Sequence, residues 1–176
     1  MNSLRFRQVN AIDHGPEILA VTFEYFDWMN REIENICNFS LTDITGIPLD
    51  AYVEATIGTV CSGVPPEGVF YLIEENGLVA GSGGLRQLPD GAVEIVRIFT
   101  RPHYRGRGYG IQILMRLLAD ARVFGYTVAK LDTGIFMKSA HRIYESLGFE
   151  DCPRYEGAEA PYQLVPYWRY MSKNLS

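Results

Sequence analysis

Long apolar runs, metal-ligand spacings and excess basic charge are all missing from this chain of 176 residues. No apolar stretch approaches the roughly 20 residues that a membrane-spanning helix needs, so no membrane partner is expected. The opening Met1-Asn2-Ser3-Leu4-Arg5 lacks the apolar core of a signal peptide. Three cysteines, Cys37, Cys61 and Cys152, lie far apart without metal spacing. An odd, dispersed count points to reduced thiols, a cytoplasmic protein and no metal site. The formal net charge of -5 argues against a general nucleic-acid binder, which is usually basic. There is no internal repeat and no low-complexity tail. The length predicts one domain, and at 47% hydrophobic residues the chain can bury a sizeable core.

What the chain does carry is the stretch Arg105-Gly106-Arg107-Gly108-Tyr109-Gly110, between a strand-like run from Val93 to Phe99 and a helical run from Ile111 to Phe124. A strand, a glycine-rich loop and a helix start make an anion site. Glycine lets the backbone approach a ligand closely. The free N–H groups and the macrodipole of the helix start favour negative charge. Arg105 and Arg107 add donors suited to phosphate oxygens. The expected ligand is a phosphate or pyrophosphate group. Two common phosphate motifs are absent: no G-x-x-x-x-G-K-[ST] run, and alternating glycines in place of the dinucleotide pattern. The alternatives are a flexible turn with surface arginines or a short RNA-binding segment, the latter disfavoured by net acidity.

Along the chain, Leu4 to Val9 alternates like a strand with one wet face. Asp13-His14-Gly15-Pro16 is turn chemistry, with Pro16 suited to a first helical position. Ile18 to Ile36 reads as helix, and its aromatic cluster Phe23, Tyr25, Phe26 and Trp28 covers more than one face, as core packing or as a cleft wall. Asn38 to Pro48 reads as a polar connection and Leu49 to Ile57 as a second helix. Val69 to Ile73, Leu78 to Leu85 and Val93 to Phe99 read as an antiparallel meander turned at Asn76-Gly77 and Pro89-Asp90-Gly91. Gly81, Gly83 and Gly84 mark a bulge or close backbone approach. The third helix places Ile111, Leu114, Met115, Leu118 and Ala121 on one face. Val128 to Leu131 should lie parallel to Val93–Phe99 by a crossover. Met137, Ala140, Tyr144 and Leu147 share a face of a fourth helix, and Tyr162 to Met171 reads as a last strand broken by Pro166.

Two of these stretches resemble the GNAT superfamily of acyl-CoA N-acyltransferases. Glu94 to Pro102, continuing through Arg105 to Gly110, is similar to its acyl-CoA motif, [RQ]-x-x-G-x-[GA], with Arg105, Gly108 and Gly110 at the defining positions. Ala140-His141-Arg142-Ile143-Tyr144-Glu145-Ser146-Leu147-Gly148-Phe149 is similar to its second motif, A-x-x-x-Y-x-x-x-G-F. The resemblance implies one α+β domain of three layers. Its mixed, mostly antiparallel central sheet of about six to seven strands is flanked by helices and splayed at the acyl-CoA site. Residues 1–67 would form the first strand and a helical substrate side, 68–150 the acyl-CoA core and 151–176 a C-terminal strand region. Acetyl-CoA would be the acyl donor. Its pantetheine would pair with backbone near Ile98, Phe99 and Thr100, and its pyrophosphate would sit on Arg105, Gly106, Arg107, Gly108, Tyr109 and Gly110, with Ala140 alongside. Many members carry Asn where this chain has Met137, so one polar contact is in question.

Acetyl transfer to an amine needs a proton acceptor, a donor for the developing oxyanion, here a backbone N–H at the strand bulge, and an acid for the leaving thiolate. No Ser/His/Asp set is required when both reactants are held together. Glu94, in an apolar strand where some family members place a catalytic glutamate, is either the base or a carboxylate paired with Arg97 or Arg86. Tyr144 is either the acid for the thiolate or a core tyrosine. His103 reads as a loop residue and His141 as an exposed helix residue. Asp132 either holds a substrate amine or caps a strand end. The expected reaction is N-acetylation of a primary amine, small molecule or peptide, by a monomer or homodimer. The alternative is an acyl-CoA-binding regulatory or interaction protein without turnover.

Overall fold

In a computed structural model that describes residues 4–176, β1 (Leu4–Val9) pairs antiparallel with β2 (Gly68–Glu75), and Phe6 stands opposite Ile73. Met1, Asn2 and Ser3, part of the stretch read as lacking a leader's apolar core, lie outside the described residues. β2 reverses into β3 (Leu78–Gln87) through Asn76 and Gly77, both left-handed with φ of 52° and 81°. A two-residue hairpin needs this because its twist must match that of the strands. β3 returns as β4 (Val93–Thr100), completing the expected meander. Beyond it come β5 (Val128–Gly134), β6 (Glu150–Asp151) and β7 (Trp168–Asn174). The seven strands lie in the order β1-β2-β3-β4-β5-β7-β6, and the β4–β5 pair is the parallel one.

All eight residues of β2 are buried, so both faces of the sheet are covered. The period-two alternation sends Val69, Tyr71 and Ile73 to one face, against Ile113, Leu114 and Leu117 of α4 (Tyr109–Val123). Phe70 and Leu72 point the other way, against Ile18 and Val21 of α1 (Ala11–Cys37) and Val60 at the end of the helix Leu49–Val60. The result is the three-layer α+β arrangement expected, with a mixed, mostly antiparallel sheet.

Four local expectations need correction. α1 begins at Ala11, well before Ile18, because the Asn10 side chain caps it by accepting from the Asp13 N–H at 2.8 Å. Pro16 then follows a kink at His14. The connection from Asn38 to Pro48 contains a short helix, α2 (Leu41–Thr45), opened by a reciprocal cap between Ser40 and Asp43. α3 is then Leu49–Val60, α4 is Tyr109–Val123 as above, and α5 is Lys138–Ser146. In α4 the buried face is Ile113, Leu114, Leu117, Leu118 and Ala121, while Met115 is 56% exposed. The helix is rotated because Ile113 sits in the space above Gly83, where a Cβ would come within 2.6 Å of its Cγ2. Finally, Tyr162–Tyr167 forms 3₁₀ turns and strand pairing starts only at Trp168, past Pro166.

Candidate active site

β4 and β5 pair at only two positions, Val93 with Ala129 and Glu94 with Lys130, and then separate. The cause lies on the other side of β4. Ser82 pairs with Phe99 and Gly84 with Val96, so a bulge absorbs an extra residue of β4. Arg97 takes the left-handed conformation there, with φ of 53°, and the Ser82 hydroxyl donates to its carbonyl at 3.1 Å. The bulge bends β4 away from β5, and a cleft of about 560 Å³ opens in the split. Beyond Glu94, the β5-facing edge of β4 carries no ladder partner from β5.

One end of the cleft is the glycine-rich loop. Gly106 and Gly108 both sit at φ of 76°, a conformation that a Cβ would strain. Gly108 is the N-cap of α4, and no side chain caps that end. The first N–H groups of the helix therefore have no partner within it, and Gly108, Tyr109 and Gly110 line the cleft. Arg105 donates from Nε to the Thr100 carbonyl at 3.1 Å, and its guanidinium lies over Trp28 and Phe99. Arg107 turns away. Its Nη1 donates to Glu75 at 2.7 Å and its Nη2 to the His103 carbonyl at 3.2 Å.

Tyr144 is buried on α5 against Phe149 and faces the cleft. Burial, reinforced by the nearby Asp132, pushes its phenol well above the ordinary range, so it stays protonated at neutral pH. Glu94 is 1% exposed and does not line the cleft. Its register partner across β3 is Arg86, whose Nε donates to Oε2 at 3.1 Å, and the Tyr155 hydroxyl donates to Oε1 at 2.8 Å. Burial raises its pKa and Arg86 opposes the rise. Arg97 pairs instead with Glu159, and its Nη2 donates to Thr56 at 2.8 Å.

Around one cleft the fold thus gathers Ile98, Phe99, Thr100, Arg105, Gly106, Gly108, Tyr109, Gly110, Ala140 and Tyr144; Arg107 and Glu94 stand outside its lining. His141 is corrected. It is buried at 5% exposure, its Nε2 donates to the Gly134 carbonyl at 3.0 Å, and burial lowers its pKa. α5 crosses the end of β5, which tucks this residue under the helix. His103 is exposed in a 3₁₀ turn at Pro102–Tyr104. Met137 lines the cleft with its sulfur 3.4 Å from the Thr133 hydroxyl. Among the described residues no group of three or more His, Cys, Asp or Glu is placed to hold a metal ion. Likewise, no described helix is long and apolar enough to cross a membrane.

Some of the lining was hard to read from the chain. Tyr25 and Trp28 of α1 and Phe136 after β5 form an aromatic wall, with the Trp28 and Phe136 rings edge to face at 5.9 Å. The excess of aromatics over one helix face was the available signal for Tyr25 and Trp28. Asp132 also lines the cleft, accepting from the Ala160 N–H and from Trp168 Nε1, each at 3.1 Å. Burial pushes its carboxyl up to about 7.

Residues 30–149 match the Acetyltransferase (GNAT) family. The IAA acetyltransferase of Azospirillum brasilense is 30% identical over 111 residues, covering 62% of this chain and 70% of that protein. The uncharacterized N-acetyltransferase YjgM of Escherichia coli (strain K12) is 31% identical over 88 residues, 48% of this chain, and the match spans about half of that protein, 53%. The solved PaiA N-acetyltransferase of Thermoplasma acidophilum, in complex with coenzyme A, superposes with a TM-score of 0.70 at 14% identity. That likeness covers 98% of this chain and 99% of the other, and it speaks for the fold.

Proposed function

The chain belongs to the Acetyltransferase (GNAT) family, and on that premise we propose that it moves an acetyl group from acetyl-CoA to a primary amine, small molecule or peptide, by direct attack with both reactants held in the cleft. The observation that carries this is the split between β4 and β5 beside an uncapped helix start. The free edge of β4 at Ile98, Phe99 and Thr100 offers backbone groups to the amides of a pantetheine chain. The N–H groups from Gly108 to Gly110, with Arg105, suit a pyrophosphate. At φ of 76°, any side chain at Gly108 would strain the backbone of that seat. When bound, acetyl-CoA supplies the activated thioester.

The remaining chemistry belongs to the chain. In this reading a backbone N–H at the β4 bulge donates to the carbonyl oxygen as charge develops on it. Tyr144, protonated and facing the cleft, gives its proton to the departing thiolate. The aromatic wall of Tyr25, Trp28 and Phe136 keeps water from the reacting atoms. The locked carboxylate of Glu94 favours a second reading, an acyl-CoA-binding regulatory or interaction protein without turnover. Calorimetry with acetyl-CoA and thiol release against an amine panel decide between them. Binding with no thiol released above background, across the panel, would sink the enzyme reading and keep the second.

A further inference from the structure

Resting on the acetyl-transfer reading, we propose that Asp132 anchors the acceptor's ammonium and takes its proton, and that the acceptor is a primary amine on an apolar body of aromatic size. Asp132 lies on β5 two residues past Lys130, the last residue paired with β4, where the strands have parted. It borders both the main cleft and a cavity of about 30 Å³ that Glu159, Tyr52 and Trp168 also line. That cavity has room for one or two waters.

Glu94 and Asp132 differ in what their carboxylates have left to give. Both Glu94 oxygens are taken, by Arg86 and Tyr155, and neither faces the cleft. Each Asp132 oxygen accepts one N–H, leaving capacity for another donor, and among the described residues no cation pairs with it. Arg105 and Lys138 also line the cleft without pairing with Asp132, and its other titratable surroundings are closed or neutral. Tyr25 of α1, Tyr52 of α3, Tyr144 of α5, Tyr170 of β7 and Tyr155 before it are phenols held protonated, chiefly by burial. Glu159 is spent on Arg97, and Glu94 on Arg86. An ionised Asp132 is then the uncompensated charge of the floor, and an ammonium is what neutralises it. Burial, with the charges of Glu94 and Glu159, lifts the Asp132 carboxyl to about 7, against the pull of its two N–H donors. That matches a base working near neutrality. In the same cleft, Tyr25, Trp28 and Phe136 supply an apolar aromatic wall.

In the step, Asp132 accepts one ammonium proton and the freed nitrogen bonds to the acetyl carbon. The carbon–sulfur bond breaks, and the thiolate takes the Tyr144 proton, which the second amine proton replaces. The balance is ammonium plus thioester giving amide, thiol and one proton.

The test uses the full chain with phenylethylamine, its less basic β,β-difluoro analogue, and aspartate. In the wild type, kcat/KM should bend near pH 7 with both aryl amines, because the group belongs to the protein. A bend that tracks each amine's own pKa overturns the proposal and needs no variant. Asp132→Asn should lose about 10²–10⁴-fold in kcat/KM on phenylethylamine and much less on the difluoro analogue. Asp132→Glu should keep the bend at reduced rate. An Asp132→Asn enzyme with the wild-type pH profile, or a wild type that prefers aspartate, overturns the proposal while leaving acetyl transfer standing. A wild type that binds no acetyl-CoA by calorimetry overturns both.

Discussion

Asp132→Asn should change how stability depends on pH, whatever the protein acetylates. Burial lifts this carboxyl from 3.8 to about 7. Between those values the unfolded chain is ionised while the folded chain keeps its proton. Folding therefore binds a proton, and the wild type loses stability as pH rises through that window. Each unit is worth about 1.4 kcal/mol, so between about pH 5 and about pH 7 this group removes about 2–3 kcal/mol, and nothing further above. Asparagine does not titrate. It does turn an amide NH₂ toward Ala160 N or Trp168 Nε1, so one of the two hydrogen bonds is lost. That loss costs about 1–3 kcal/mol at every pH. The measurable quantity is the double difference. Urea unfolding of both proteins at about pH 5 and about pH 8 should show the variant gaining about 2–3 kcal/mol on the wild type at the higher pH. An identical stability gap at the two pH values would mean that Asp132 titrates as an ordinary aspartate. It could then not serve as a base poised near neutrality.

Gly108→Glu should abolish acetyl-CoA binding in calorimetry while circular dichroism shows a folded chain, because the side chain and its charge occupy the pyrophosphate seat; Arg105→Ala should weaken binding about ten- to a hundredfold. Unchanged affinity in both would remove the site. Tyr144→Phe keeps the ring against Phe149 and removes the donor, so kcat should fall about ten- to a thousandfold with little change in the acetyl-CoA KM; an untouched kcat would leave Tyr144 as packing. Glu94→Gln should cost about 1–3 kcal/mol of stability by leaving Arg86 without its carboxylate, and the pH–rate profile should keep its bend, moved to lower pH because the Glu94 charge helps raise Asp132. A flattened profile in that variant would return the role of base to Glu94.

The elements, and the glycine-rich loop proposed here as an anion seat, could be read from the chain because their causes are local. Asn76-Gly77 makes its hairpin by backbone preference, whatever surrounds it. The glycine-rich loop before α4 exposes N–H groups wherever that helix packs. The short helix Leu41–Thr45 depended on a cap four residues wide and was legible in principle through Ser40 and Asp43. The face that α4 buries was not, since Gly83 sets it by letting Ile113 approach the strand. The fates of the polar side chains were not legible either. His141 looks like an exposed residue on its helix until the end of β5 passes beneath it. Glu94 and Asp132 are both acids on apolar strands, and no spacing tells them apart. The bulge at Arg97 and the register that sets Arg86 opposite Glu94 closed one carboxylate inside the sheet. The divergence of β4 from β5 left the other at the mouth of the split. Local sequence thus determined which elements form and where a helix start is left uncapped. Which acid meets the cleft was decided by long-range strand register, because a side chain's partners are set by the strands beside it and not by its neighbours along the chain.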